Sequence, residues 1–372
     1  MCLRKSNCCS TVGPVRWDNL RDSAAGPARK PGAATLPLFE MGAVARSFDT
    51  PGFRGMTFYE VHARTIINQV PPASRMAFRW TINPYRGCSH ACAYCFARNT
   101  HTYLDMDAGA DFNSRIVVKV NAAELARREL AAPRWPGEHV AMGTNVDCYQ
   151  RAEGRYRLMP GIIAALRDAA NPFSILTKGT LILRDLDLLA EAAEVTDVGL
   201  NLSVGSTDPG LWRSVEPGTP NPQRRLEACA AITGRGLRCG VLMGPVLPFL
   251  SDAPGQLEAT VRQIAAAGAA HVTPIVLHLR PGAREWYLRW LGEQHPELLP
   301  RYQWLYGARA YAPRAYQQHI TEQVRQLAER HGVGRASPAG ARRLPRARRP
   351  AAAAAGHPAR AAASQGVQLS LL

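Results

Sequence analysis

Residues 87–98 read GCSHACAYCFAR, and only Arg86 separates them from FRWTINPY at 78–85, a run whose β-branched and aromatic residues predict a strand. The loop holds Cys88, Cys92 and Cys95, with three residues between the first pair and two between the second. Three thiolates in one short loop can each bind a separate iron of a cubane cluster, which contains four irons. The spacing therefore predicts an iron–sulfur cluster with one iron that no protein side chain binds.

The open iron can take a small-molecule ligand, and S-adenosylmethionine can chelate it through an amine and a carboxylate. A zinc site is the competing interpretation, but zinc normally takes a fourth ligand, often from a second CxxC or a histidine pair. The remaining cysteines offer no such pair. His90 lies inside the loop and could bind metal, but the three-cysteine pattern is complete without it, so we expect it to pack beside the cluster.

Beyond the cysteine loop, short β-branched runs alternate with Ala- and Leu-rich segments of helical period. This alternation predicts an α/β fold with a parallel sheet and right-handed crossover helices. We expect one unit over residues 78–285, a partial or nearly closed parallel (β/α) barrel whose chemistry gathers at the C-terminal ends of its strands. The predicted strands are FRWTINPY (78–85), RIVVKV (115–120), HVAMGT (139–144), FSILTK (173–178), VGLNLSV (198–204), LRCGVLMG (237–244) and VTPIVLHL (272–279).

The regions outside the predicted barrel differ from it in composition. Residues 1–35 are rich in Gly, Pro, Ala and charge without periodicity, which predicts a flexible basic leader, and an N-terminal extension follows at 36–77. Residues 286–334 carry aromatic and basic segments of helical character and predict a helical cap. Residues 335–372 are dominated by Arg, Ala, Pro and Gly, which cannot build a core and predict a disordered tail.

The chain of 372 residues is 46% hydrophobic, which excludes a fully disordered protein, and its formal net charge is +16. Residues 1–35 hold six basic and two acidic side chains, and residues 335–372 hold seven arginines and no acid. The body between them therefore carries 32 basic and 27 acidic side chains, a net charge of +5. Basicity bears on what the tails bind, such as nucleic acid, and says little about the predicted pocket.

No run approaches the roughly 18 to 20 apolar residues that cross a bilayer. The N-terminus, MCLRKSNCCSTVGP, has no apolar stretch that could act as a signal core. We therefore expect a soluble, cytoplasmic protein with no membrane partner. Nine cysteines without a secretion signal indicate metal or redox chemistry before disulfides.

The cysteine spacing, its place after the first strand, and Phe96 directly after Cys95 resemble the signature of the radical S-adenosylmethionine (radical SAM) superfamily. The resemblance implies two cofactors, a [4Fe-4S] cluster held by Cys88, Cys92 and Cys95, and S-adenosylmethionine. It implies that one electron, supplied by an external donor through the cluster, cleaves the sulfonium and releases a 5′-deoxyadenosyl radical. That radical abstracts hydrogen from a substrate, while the protein orients and shields it.

Further blocks are similar to the subgroup around spore photoproduct lyase, a DNA-repair radical enzyme. They are NPYRGCSHACAYCFAR followed by His101, GTNVDCYQRAE, ILTKGTLILRDLDLL, SVEPGTP with RRLEA, and GPVLP. By this resemblance Thr144, Lys178 and Ser203 contact S-adenosylmethionine, the lysine suiting its carboxylate. The alternatives are a solvated loop charge for Lys178 and strand-end capping for the two hydroxyls. Less direct candidates for a role at this site are Arg98, Gln150, Glu153, Asp185 and Glu216.

The sequence departs from that subgroup at one position. Lyases of the spore-photoproduct type carry a hydrogen-donating cysteine near the end of the third strand, and here the position reads Met142. Cys148 falls beyond the strand, so thymine-dimer repair by the same route is not expected. With Cys229 and Cys239 it is interpreted as a small buried hydrophobe. At the last strand, His278 and Arg280 in LHLR either contact substrate or belong to the edge of the core.

The chain ends in QLSLL, residues Gln368, Leu369, Ser370, Leu371 and Leu372. This peptide resembles those with which bacterial replication and repair proteins dock on the DNA sliding clamp, an extended segment with a glutamine at the pocket rim and apolar side chains inside. The preceding linker, 336–367, has 32 residues and as a flexible coil would span roughly 30 Å. The alternative is an apolar terminus without a partner.

Two functions from different classes follow. The first is a radical SAM enzyme that abstracts hydrogen from a nucleic acid or nucleotide, with a role in DNA repair. The second is a non-catalytic iron–sulfur adaptor for DNA or the sliding clamp, which would have lost its contacts to S-adenosylmethionine. Thr144, Lys178 and Ser203 are all present, and this favours the enzyme.

Overall fold

The computed structural model describes residues 20–21, 42–71 and 76–334. Its strands, in chain order, are β1 (Leu20–Arg21), β2 (Val44–Arg46), β3 (Thr57–Ala63), β4 (Ile67–Gln69), β5 (Trp80–Ile82), β6 (Tyr85–Arg86), β7 (Arg115–Lys119), β8 (Val140–Met142), β9 (Phe173–Thr177), β10 (Val198–Ser203), β11 (Cys239–Val246) and β12 (Val272–Val276).

The α-helices are α1 (Ala110–Ser114), α2 (Ala122–Leu130), α3 (Arg151–Tyr156), α4 (Leu158–Asp168), α5 (Leu186–Val195), α6 (Pro209–Val215), α7 (Pro222–Gly234), α8 (Pro254–Ala266), α9 (Ala283–Gln294), α10 (Leu299–Tyr306) and α11 (Arg314–Arg330). Short 3-10 helices cover Pro51–Phe53, Phe96–Leu104, Thr180–Asp185 and Pro296–Leu298.

The larger sheet has seven strands in the order β12-β11-β10-β9-β8-β5-β4. Six of them are parallel and β4 runs antiparallel to β5 at one edge. Helices separate successive parallel strands, as crossover connections require. The strand order is an open path within the described residues, so the predicted α/β partial (β/α) barrel is confirmed in its open form.

A second sheet joins β3 to β1 and β2 on one side and to β7 on the other, with β6 on the far edge of β7. The sequence assigned RIVVKV (115–120) to the barrel, and this assignment is wrong because β7 pairs in parallel with β3. Ile116, Val117 and Val118 are fully buried, so the run is apolar on both faces and does not reveal which sheet it joins.

The predicted first strand is also shorter than expected. FRWTINPY divides at Asn83–Pro84: β5 ends at Ile82 in the large sheet, and Tyr85–Arg86 forms β6 in the small one. Pro84 has no N–H to donate and accepts instead from the amide of Lys119. The cysteine loop therefore begins at the junction of the two sheets rather than at the end of a single barrel strand.

The C-terminal helices pack against the last strand. Helix α11 lies along β12 and α8, and it buries Ile320, Val324 and Leu327, which recur with helical spacing. These helices form the expected cap and cover the end of the sheet. Among the described residues, no helix has the length and apolar character needed to cross a membrane, and the cytoplasmic location stays a prediction. The predicted leader, the tail and the peptide Gln368–Leu372 lie outside the described residues, apart from the two residues of β1.

Candidate active site

All six parallel strands present their carboxyl ends to one cavity of about 720 Å³. Its lining includes each residue that the sequence predicted to bind a cofactor: Cys88, Cys92, Cys95, Thr144, Lys178 and Ser203. His278 and Arg280, at the end of β12, line it as well. The structure thus brings together side chains that are up to 192 positions apart in the sequence, between the first of the cysteines and Arg280.

The cysteine loop leaves β6 through Gly87, whose φ is +79°. A Cβ atom there would lie 2.8 Å from the carbonyl oxygen of Arg115, so both the backbone conformation and the close approach require glycine. The amide of Cys88 then donates to the carbonyl of Phe112 at 2.9 Å. These contacts fix the start of the loop against the second sheet.

All three thiols are free, and Cys88 and Cys92 are buried while Cys95 is half-buried. Burial raises the pKa of each thiol, and it raises that of Cys92 to about 12 despite the opposing charge of Lys178. Thiolates in this loop therefore require a cation beside them, and bound iron supplies one. The donor set fits a cluster.

In the described part of the chain, no three Cys, His, Asp or Glu side chains converge as ligands of a single metal ion. A cubane does not need this convergence, because each of its cysteines binds a different iron. The arrangement therefore disfavours a mononuclear zinc site and remains compatible with a cluster.

Asn83, just after β5, has a buried side-chain oxygen that needs a hydrogen-bond donor. Its Oδ1 has no hydrogen-bond partner among the described residues, and Asn83 lines the cavity. A ligand with an N–H or O–H donor would satisfy it.

Arg98 holds the loop from behind. Its side chain is fully buried, and Nε and Nη2 donate to the carbonyl of Cys92 at 3.2 and 2.9 Å. Nη1 donates to the carbonyl of Gly109 at 2.9 Å, and the guanidinium lies 4.6 Å from the ring centroid of Trp286. Arg98 thus ties the cysteine loop to α9 and does not line the cavity.

A second buried ion pair supports the other side of the loop. Arg225 is fully buried, ion-pairs with Glu216, and donates from Nη1 to the carbonyl of Ser203 at 3.0 Å. The hydroxyl of Tyr94 donates to the same carboxylate. Burial alone would raise the pKa of Glu216, but the charges of Arg225 and Lys178 outweigh it and hold that pKa below its usual range. This network joins the cysteine loop to the end of β10.

Asp147 is a site residue that the sequence reasoning missed, although it stands inside the quoted block GTNVDCYQRAE. It lines the cavity and accepts from Thr177 Oγ1 at 2.5 Å and from the amide of Lys178 at 2.6 Å. His90 Nδ1 lies 3.3 Å from its Oδ2. Burial opposes its ionisation, yet His90 and these hydrogen bonds lower its pKa to about 2. An acidic residue just after a predicted barrel strand was the available signal.

Three of the less direct candidates form the wall behind Asp147. Gln150 accepts from the amide of Ser89 at 3.0 Å and donates to the carbonyl of Gly87 at 2.8 Å, so it fixes the loop. Glu153 is fully buried and ion-pairs with Arg184, which also pairs with Asp185. None of the three lines the cavity, so they are structural supports.

The predicted S-adenosylmethionine contacts come from three neighbouring strand ends. Thr144 follows Gly143, whose φ is +77° and whose Cβ would meet the carbonyl oxygen of Leu176 at 1.8 Å. Lys178 follows β9, with Nζ 5.6 Å from the ring centroid of Tyr94. Ser203 ends β10, and its hydroxyl donates to the carbonyl of Gly244 at 3.0 Å.

Four buried sulfur-containing side chains stay outside the cavity lining: Met142, Cys148, Cys229 and Cys239. No cysteine other than the three of the loop therefore lies in the described lining. This agrees with the interpretation of Cys148, Cys229 and Cys239 as small buried side chains.

The model of the radical SAM superfamily matches residues 82–262, which run from β5 into α8. The chain belongs to the radical SAM superfamily. The match includes the cysteine loop and the ends of five of the six parallel strands. A protein of Mycobacterium tuberculosis is 49% identical to this radical SAM protein over 313 residues, 84% of this chain and 92% of that protein. One of Methanocaldococcus jannaschii is 28% identical over 193 residues, 52% of this chain and 69% of its own.

Among solved structures, a variant of spore photoproduct lyase has a TM-score of 0.55 and 17% identity, covering 74% of this radical SAM protein and 79% of its own chain. Another variant of that lyase, solved with bound AdoMet and dinucleoside spore photoproduct, has a TM-score of 0.54 and 15% identity, over 71% and 76% of the two chains. At this identity the likeness shows a shared fold. This chain is accordingly a radical SAM enzyme on that fold, and the superfamily's cofactors are a [4Fe-4S] cluster and S-adenosylmethionine.

Proposed function

We propose that this radical SAM enzyme binds a [4Fe-4S] cluster through Cys88, Cys92 and Cys95, binds S-adenosylmethionine beside it, and abstracts hydrogen from a nucleotide or nucleic acid. The observation that carries the proposal is the single cavity lined by the three thiols and by Thr144, Lys178 and Ser203. When bound, the two cofactors supply one-electron cleavage of the sulfonium and a carbon radical that takes a hydrogen atom from the substrate.

The chain's own residues bind and orient the cofactors. Lys178 offers an ammonium group to the carboxylate of S-adenosylmethionine, and Thr144 lies one strand away toward β5. The hydroxyl of Ser203 donates to Gly244, which leaves its oxygen as an acceptor facing the cavity. Tyr94, held by Glu216, lies under the ammonium group and fixes the approach to the cysteine loop.

Apolar side chains form part of the cavity wall. Leu176, Val241, Ile275 and Leu277 line it. Such a lining limits the solvent that reaches the bound cofactors and the substrate.

A nucleotide substrate is supported by the fold shared with spore photoproduct lyase, whose structure with dinucleoside spore photoproduct is known. Met142 stands where the resemblance places the hydrogen-donating cysteine, and no other cysteine of the described lining replaces it. We therefore propose a DNA-repair or nucleotide reaction that differs from thymine-dimer reversal in how the substrate radical is resolved.

Anaerobic reconstitution tests the proposal. The wild-type chain should bind about four irons and, with a chemical reductant, release 5′-deoxyadenosine from S-adenosylmethionine. The triple Cys→Ala variant at 88, 92 and 95 should lose both, whereas Cys229→Ala, a buried cysteine outside the cavity, should retain both. A full cluster without cleavage would contradict the catalytic proposal and favour the iron–sulfur adaptor.

We also propose that Gln368–Leu372 docks this enzyme on the DNA sliding clamp. The support is the peptide QLSLL at the end of a 32-residue linker, which would hold the barrel near DNA at high effective concentration. Pull-down with purified clamp should retain the full chain and lose the chain that ends at Val367. Equal retention of both forms would reject the docking proposal and leave the enzyme proposal untouched.

A further inference from the structure

The described lining of the cavity contains two basic side chains, Lys178 and Arg280. Lys178 follows β9, whereas Arg280 follows β12, three strands farther along the sheet. Neighbouring strands lie about 4.8 Å apart, so the two strand ends are separated by roughly 14 Å. A single small carboxylate cannot neutralise both. If the carboxylate of S-adenosylmethionine takes Lys178, Arg280 remains for another anion.

Arg280 has no carboxylate partner within the described residues. Its guanidinium donates to the hydroxyl of Tyr311 and lies 5.6 Å from that ring's centroid. This half-buried charge keeps contact with water and can pair with an anion that enters the cavity. The acidic residue of the described lining, Asp147, is already engaged by His90, Thr177 and the amide of Lys178.

The backbone fixes the position of this arginine. His278 forms an isolated antiparallel bridge with Tyr311, and the amide of Leu279 donates to the carbonyl of Ala310 at 2.7 Å. The rings of His278 and Tyr311 lie 4.6 Å apart. Arg280, His278 and Tyr311 therefore form a preorganised group, which we term the β12 cluster.

The β12 cluster carries one positive charge at neutral pH. Burial, together with the charge of Arg280, lowers the pKa of His278 to about 4, so its ring is neutral and can still donate one N–H. One guanidinium fork and one neutral donor match a singly charged oxyanion, such as a phosphodiester, better than a dianion.

The mouth of the same cavity is apolar. Met76 and Phe96 line it, with 41% and 40% of their surfaces exposed. Exposed apolar and aromatic side chains of this kind stack on flat rings, and nucleobases are such rings. Met76 precedes β5 and Arg280 follows β12 at the far edge of the sheet, so a ligand that contacts both must extend across the cavity.

We propose that the β12 cluster is an oxyanion subsite that binds the phosphodiester of a dinucleotide unit in the substrate. This inference rests on the proposed function, because it assigns the cavity's remaining space to substrate. It makes Arg280 a specificity-determining residue that touches the substrate without taking part in hydrogen transfer.

Equilibrium dialysis of the reconstituted protein with S-adenosylmethionine tests the subsite. The probes are the dinucleotide dTpT and its methylphosphonate analogue, which has nearly the same shape but no charge. We expect dTpT to bind at least about 10-fold more tightly than the analogue, as a charge-assisted hydrogen bond predicts. Arg280→Gln should lower the affinity for dTpT to that for the analogue, and it should leave the affinity for the analogue unchanged.

Arg213→Gln is the matched control, since Arg213 is an exposed arginine on α6 outside the cavity, and it should bind both probes as the wild type does. Arg280→Lys keeps the charge without the fork, and we expect an intermediate affinity for dTpT. Equal binding of dTpT and the analogue by the wild type would overturn the proposal, as would unchanged dTpT binding by Arg280→Gln. N-acetyltyrosine, an aromatic carboxylate, is the third probe, and Arg280-dependent binding of it as tight as that of dTpT would overturn the nucleotide assignment.

The same preparations separate this inference from the proposed function. Iron content and binding of S-adenosylmethionine should be equal in the wild type and Arg280→Gln, because the hydrogen bond and the ring contact described for the Arg280 side chain are both with Tyr311. If the protein does not cleave S-adenosylmethionine but still binds dTpT more tightly than the analogue, the proposed reaction is wrong and the subsite stands. If it cleaves S-adenosylmethionine but binds both dinucleotides equally, the subsite is wrong and the proposed reaction stands.

Discussion

The two ends of the cavity differ in how their charged side chains are paired within the chain. At the cysteine-loop end, buried charged groups find partners within the chain: Glu216 with Arg225, and Asp147 with His90. At the β12 end, Arg280 has only the hydroxyl and ring of Tyr311, and His278 is held neutral. At the first end the buried carboxylates are paired before any ligand binds, with Lys178 left for the carboxylate of S-adenosylmethionine, whereas the second end has no carboxylate in the described lining and leaves Arg280 unneutralised.

This difference follows from what each end must do. The loop that we propose carries three metal ligands must keep one geometry, and paired buried charges with several hydrogen bonds restrict it strongly. A charge left without a carboxylate costs little when it is half exposed to water, and it gains a partner only when an anion binds. Substitutions at the two ends should therefore change the free energy of unfolding by different amounts, and three predictions test this difference.

The largest effect is expected at Arg225. Arg225→Met leaves the buried carboxylate of Glu216 without its partner, and removing one member of a buried ion pair costs about 3–5 kcal/mol. Urea unfolding followed by circular dichroism measures this loss. Arg235→Met is the control, because Arg235 pairs with Asp187 on the exposed surface and its loss should cost less than about 1 kcal/mol. Equal costs at the two positions would refute the scaffold interpretation.

An intermediate effect that depends on pH is expected at Asp147. Its pKa is about 2 in the folded chain against an ordinary value of 3.8, so its ionised form stabilises the fold above pH 3.8, and this contribution is lost as the pH falls towards 2. The difference corresponds to about 2 kcal/mol. Asp147→Asn should therefore destabilise the metal-free protein at pH 6 and approach the wild type as the pH falls.

Urea midpoints of the two proteins at pH 6 and pH 3 measure this convergence. Asp49→Asn changes an exposed loop carboxylate and should match the wild type at both pH values. A stability gap between Asp147→Asn and the wild type that is the same at both pH values would mean that the carboxylate charge is not the stabilising feature.

The smallest effect is expected at Arg280. Arg280→Met removes a half-buried arginine without a carboxylate partner in the described residues, and the free energy of unfolding should change by about 0.5 kcal/mol or less. Thermal unfolding of both proteins measures the change. A loss comparable to that of Arg225→Met would show that Arg280 belongs to the scaffold, and the contrast between the two ends would disappear.

Local features of the sequence predicted much of this site. The spacing of Cys88, Cys92 and Cys95 predicted a metal-binding loop, which lines the cavity, and the alternation of apolar runs placed Lys178 and Ser203 at strand ends. RIVVKV was assigned to the wrong sheet, because an apolar run buried on both faces looks the same in either sheet. Asp147 was missed, because its importance comes from Thr177 and His90, and neither spacing nor periodicity predicts such contacts.

The sequence by itself determined the α/β class and the superfamily to which the cysteine loop belongs, because cysteine spacing and hydrophobic periodicity are local properties of the chain. Only the tertiary structure decided that Arg98, Glu153 and Glu216 are supports behind the cavity, while Arg280 faces it. Arg98 and Arg280 have the same side chain, but Arg98 is fully buried among backbone carbonyls, whereas Arg280 is half-buried and lines the cavity. These differences arise when six strand ends converge, since the convergence sets which charged side chains meet a partner in the chain and which are left for a ligand.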